Sequence, residues 1–121
     1  MFEIDRAYVA IALLWAVAGM LLGLYMGIAN DLTLRSVHVA FMLPGFVTLA
    51  IYGFVFRLWP ALNKAPLAQA QFWTASAGAA LLIVGSYFYA TSGSVPIAAI
   101  GSIISIVAGA MLTWQFWTYA R

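Results

Sequence analysis

His38 is the only histidine among the 121 residues, and cysteine is absent. The lack of cysteine removes disulfides, thiolate metal sites, iron–sulfur clusters and cysteine nucleophiles. Three acids are present, Glu3, Asp5 and Asp31, and none lies inside an apolar run. Neither a carboxylate pair for general acid–base work nor an acidic proton relay is therefore supported. No nucleophile–histidine–acid set can be assembled. A four-ligand zinc site would need acids or neighbouring subunits to complete it.

His38 falls about one turn into an apolar segment that begins near Ser36. An ionisable side chain inside a bilayer is costly and is a functional-site candidate by default. Phe41, Met42 and Gly45 follow three, four and seven residues later and share its helical face. A ring nitrogen there suits ligation of haem iron. Gly45 would leave clearance for the macrocycle, and Met42 would pack against the ring. Arg35, three residues earlier and nearer the surface, is placed to pair with a propionate. The same residues admit a plainer reading, an interfacial histidine bonded to a backbone carbonyl or to water. Pro44 removes a backbone bond and predicts a kink, either for packing or to set the angle of His38. Asp31 stands four residues before Arg35 and is expected to pair with it.

The elements that must position these residues are membrane helices. Hydrophobic residues make up 66% of the chain and charged residues 7%, against about 25% charged in soluble domains. Apolar spans are predicted at about 8–28, 36–58, 71–90 and 95–118, each near the roughly 20 residues that a bilayer requires. The fold class is all-α: an integral membrane four-helix transmembrane bundle, one domain over 1–121. The segment Met1 to Arg6 mixes two acids with one base and reads as the start of a retained first helix rather than a cleaved signal. A net charge of +2 from scattered residues argues against nucleic acid as a partner. Arg6, Arg57, Lys64 and Arg121 fall on one side of the four-span arrangement and Arg35 alone on the other. This predicts both termini in the cytoplasm, with a bacterial inner membrane as the expected location. Trp59, Trp73, Trp114, Trp117 and Tyr119 sit near span ends, where amphipathic rings favour the interface. Serines and threonines within the spans are expected to bond their own backbone or a neighbouring helix.

Two stripes of small residues, Gly19/Gly23/Gly27 and Gly101/Ser105/Gly109, permit close helix approach. They serve packing within one subunit, an oligomer interface or room for a flat prosthetic group. Four helices enclose little volume, which makes a homo-oligomer or a place in a membrane complex attractive.

The run Leu34-Arg35-Ser36-Val37-His38-Val39-Ala40-Phe41, with Gly45 and the ending Tyr52 to Pro60, resembles the second helix of haem–copper oxidase catalytic subunits. The likeness is to the branch with C-type subunits and to small four-helix relatives. The resemblance implies His38 as a ligand of a b-type haem near the outer face. Gln71-Phe72-Trp73 is similar to the start of that family's third helix, where the small relatives often have His-Phe-Trp. Two departures stand out. Ala40 occupies a position that is often a second histidine, and Gln71 replaces the histidine before Phe-Trp. The later helices that carry the family's other haem and copper ligands are absent, so independent oxygen or nitric oxide reduction is not expected. A more distant similarity, in size, topology and a local histidine, is to styrene oxide isomerase, whose ferric haem acts as a Lewis acid. The sequence thus leads to haem b on His38, with electron-transfer, ligand-binding or Lewis-acid roles open. The alternative is a non-catalytic accessory subunit of a membrane complex without cofactor. A transporter is the third reading, and no charged substrate site speaks for it.

Overall fold

The computed structural model describes residues 3–121; Met1 and Phe2, the first two residues of the charged N-terminal segment, lie outside the described residues. Four long helices dominate: α1 (Ile4–Ala29), α2 (Arg35–Leu58), α3 (Ala68–Ser92) and α4 (Pro96–Tyr119). Each is long and apolar enough to cross a bilayer. The 26 residues of α1 span about 39 Å at about 1.5 Å per residue, more than the roughly 30 Å of hydrocarbon. Large apolar side chains point outward, including Leu14 at 69% and Ile106 at 70% exposed. That outward apolar surface is what a lipid-facing bundle requires.

The connections are tight. Asn30 ends α1 in the left-handed conformation (φ 51°), and its N–H returns to the carbonyls of Met26 and Gly27. Gly93 ends α3 in the same way (φ 72°), with Pro96 opening α4 three residues later. A 3-10 turn over Pro60–Lys64 links α2 to α3. Pro44 lies inside α2 without breaking it, because residues Phe41–Thr48 adopt a π-helical turn. The wider turn accommodates a residue that has no N–H to donate and whose ring crowds the preceding turn.

Both hairpins depend on missing side chains. In the first, a Cβ at Gly19 would lie 2.5 Å from the Met42 sulfur, and one at Gly45 would lie 3.0 Å from Trp15. A Cβ at Gly53 would meet Val9 at 2.9 Å. In the second, Gly85 admits the backbone of Ala98, Gly78 admits Ser105, and Gly101 admits the backbone of Leu81 and Leu82. The two hairpins meet mainly through α2 and α3, with α1 touching α3 at Tyr8, while α4 packs on α3 and leaves the neighbouring side of α2 largely uncovered.

All four helices run antiparallel to their chain neighbours, so both chain ends share one end of the bundle. Asp5 pairs there with Arg57 at 3.3 Å, and the Leu67 N–H donates to Gln115 Oε1 at 3.0 Å. Arg6, Arg57, Lys64 and Arg121 therefore gather at one end and Arg35 lies at the other, as the span order predicts. The expected backbone bonding of hydroxyls is seen at Thr91, Ser92, Ser102 and Thr113, each donating to the carbonyl four residues earlier.

Packing this close makes a direct prediction. Gly85→Leu would place its Cβ 2.3 Å from the Ala98 nitrogen and should lower stability by at least about 1–3 kcal/mol. Gly27→Leu, which has nothing within 4 Å of its Cβ position, should leave stability near wild type. Thermal unfolding in one detergent compares the two; equal melting temperatures would refute the close α3–α4 contact.

Candidate functional site

His38 sits half-buried on the face of α2 that meets α1. Gly23 provides its seat: a Cβ there would lie 2.9 Å from the ring Cε1 and 3.3 Å from Nδ1. With no side chain in the way, Nδ1 reaches the Gly19 carbonyl at 2.8 Å. A carbonyl can only accept, so Nδ1 carries the proton. In the neutral ring Nε2 then keeps its lone pair. Nε2 makes no hydrogen bond among the described residues. Donation of one ring N–H to a backbone carbonyl is also how metal-ligating histidines are commonly held. The plainer expectation, a histidine bonded to a backbone carbonyl, describes this same contact and is compatible with a free Nε2.

The structure brings Met42 and Gly45 onto the same α1-facing surface. Met42 fills the space over Gly19. Trp15 lies over Gly45, with its indole tilted against the Phe41 ring at 5.6 Å between ring centres, so its bulk occupies the clearance expected for a macrocycle. Arg35 is at the end of α2, exposed, and forms no ion pair among the described residues. Asp31 does not pair with it. Asp31 instead accepts from the Thr33 N–H at 2.9 Å and the Thr33 hydroxyl at 2.5 Å. The Thr33 hydroxyl and then its N–H hold the Asp31 carboxyl below its usual range. A local Asx turn outcompetes a pair that would require ordering a long arginine side chain. Among the described residues no group of three or more His, Asp or Glu converges on a metal position.

A second polar constellation lies at the opposite, basic end and was not anticipated from the sequence. The buried Tyr8 hydroxyl donates to Gln71 Oε1, and Gln71 Nε2 donates to the Ala108 carbonyl at 3.2 Å. This chain joins α1, α3 and α4. Tyr8 is enclosed by Phe72 at 4.8 Å, Tyr52 at 5.7 Å and Phe56 at 5.9 Å between ring centres. Gln71, aligned from sequence with a histidine of the oxidase family, serves here as a helix-to-helix bridge. The signal that could have exposed it was a carboxamide inside an apolar segment, which needs partners on neighbouring helices.

No known protein family, curated protein or solved structure matches this chain.

Two measurements check this geometry. In haem-free protein labelled at histidine, nitrogen chemical shifts should report the Nδ1–H tautomer for neutral His38; a dominant Nε2–H form would contradict the Gly19 bond. Gln71→Leu should cost about 0.6–2 kcal/mol by removing the side-chain links from Tyr8 and to the Ala108 carbonyl, although the Gln71 backbone carbonyl, 3.3 Å from the Tyr8 hydroxyl, remains as an acceptor. The double change with Tyr8→Phe should cost less than the sum of the two single changes, and additive losses would argue against the bridge.

Proposed function

We propose that this four-helix membrane protein binds haem b through His38 Nε2, with Arg35 available to a propionate. The observation that carries the proposal is the Nδ1–H bond to the Gly19 carbonyl, which leaves Nε2 as the ring's donor atom. The unpaired guanidinium of Arg35, three residues away at the same end of the bundle, adds the charge that a propionate needs. The likeness of the segment around His38 to the second helix of haem–copper oxidase catalytic subunits supports the same ligand.

The donor set fits one axial position, and the packing limits where the group can lie. Gly19, Gly23 and Gly45 are each filled by the facing helix, so the macrocycle does not lie between α1 and α2. Its enclosure then calls on lipid, a second subunit or a partner protein. With one histidine per chain, a second histidine ligand would come from another subunit. A haem held by His38 alone would supply an open iron position for a ligand or for Lewis-acid chemistry. The concentration of basic residues at the end opposite His38 supports cytoplasmic termini and an outward-facing site in a bacterial inner membrane.

A second reading has its own observation. The first glycine stripe is engaged at Gly19 and Gly23 within a single chain, as expected of an accessory subunit that needs no cofactor. Visible spectra of detergent-purified protein, oxidised and dithionite-reduced, with pyridine haemochrome quantification, separate the two. Haem binding predicts a stoichiometric b-type spectrum that His38→Ala abolishes while its thermal unfolding remains cooperative. Clean protein without a Soret band after expression with ample haem would overturn the haem reading in favour of the accessory one.

A further inference from the structure

The uncovered side of α2 presents Pro44, Thr48 and Tyr52 along one stripe at four-residue spacing. Facing it, α4 presents Gly109 and, one turn away, Ser105, whose hydroxyl sits against Gly78 of α3. Between them lie two hollows that share Tyr52. One of about 220 Å³ is lined by Pro44, Thr48, Tyr52, Ser105 and Ile106. The other, of about 340 Å³, runs from Tyr52 and Gly109 to Phe116. Phe116 packs on Trp59 at 4.9 Å between ring centres and bounds the groove toward the basic end.

The groove is apolar, with a small set of hydroxyls. Thr113 is satisfied by the Gly109 carbonyl at 2.8 Å. Thr48, Tyr52 and Ser105 donate to nothing among the described residues, although all three line the first hollow. The Tyr52 oxygen lies 3.3 Å from the position a Cβ at Gly109 would take, so the missing side chain opens the space beside the phenol. At this depth water is scarce, and an unsatisfied hydroxyl is costly. An apolar cleft with a few convergent polar groups is the usual form of a small-molecule site.

We propose that this groove binds a bilayer-dissolved carbonyl compound, with apolar lobes in the two hollows and its oxygen accepting from Tyr52 and Thr48. A ketone-type acceptor is favoured because the phenol is the stronger donor of the set and two apolar spaces flank it. The site lies on the α2 face turned away from His38's contact with α1, and the proposal does not rest on haem.

Benzophenone is a direct probe, since it has two apolar rings about one carbonyl and labels neighbouring C–H bonds on irradiation. The full chain in lipid nanodiscs would be labelled over a concentration series and the adducts mapped by mass spectrometry. Saturable labelling concentrated on the groove, at positions such as Ile106 and Leu112, is expected. Tyr52→Phe with Thr48→Val should raise the half-saturating concentration about two- to tenfold, as loss of a hydrogen bond predicts. Gly109→Leu, which fills the space beside the phenol, should abolish saturable groove labelling. Melting temperatures would confirm that each variant is folded. Non-saturable labelling spread over all lipid-facing helix surfaces would overturn the proposal and leave a groove for acyl chains. Groove labelling unchanged by Tyr52→Phe with Thr48→Val would overturn the hydrogen-bonding role. Adducts joining two copies through α2 and α4 would overturn it as well, by assigning the groove to a subunit contact.

Discussion

The close approach of α1 and α2 is the contact on which the candidate site depends. Neither helix can gain a hydrophobic driving force from lipid by packing on the other, so the gain must come from surface fit. The fit is reciprocal. Gly19 and Gly23 on α1 receive Met42 and His38 from α2, while Gly45 and Gly53 on α2 receive Trp15 and Val9 from α1. Any side chain at Gly23 would push the imidazole off the Gly19 carbonyl. The chemistry of His38 is thus a property of the helix pair.

Small residues do the same for α3 and α4, yet the two hairpins are joined unequally. A fully buried bridge from Tyr8 through Gln71 to Ala108 ties three helices at the basic end. Toward the other end a smaller apolar layer of Val37, Ala40 and Ile83 does the joining. The π turn at Pro44 lies between these regions. The unequal joining leaves α2 with one face committed to α1 and another open beside α4.

Much of the architecture was legible because it follows from composition and period. Four apolar runs, their tight turns and the gathering of basic residues at one end all emerge from the sequence. The first three helices start before the apolar runs expected at 8, 36 and 71, at Ile4, Arg35 and Ala68. The helix α1 begins at Ile4 and takes in Asp5 and Arg6, since charged residues at an interface do not interrupt a helix and an acid favours its first turn. Partners were harder to read. Gly19, Gly23 and Gly27 share one spacing, but Gly27 meets nothing while the other two receive side chains. Only the register of α2 against α1 distinguishes them. Gln71 bonds to residues 63 and 37 positions away, and no local pattern encodes such pairings. Trp15 over Gly45 is the same case. A kink was expected at Pro44, and the π turn is the observed means of accommodating it.

An empty Gly23 position seats the His38 ring against the Gly19 carbonyl and leaves Nε2 without a hydrogen bond among the described residues, the orientation on which the proposed haem binding rests. Haem titration of wild type, Gly23→Ala and Gly27→Ala, followed at the Soret band, tests it most directly. The account predicts stoichiometric binding by wild type and by Gly27→Ala, with binding lost or markedly weakened in Gly23→Ala. Equal binding by all three, or no binding by wild type, would contradict it.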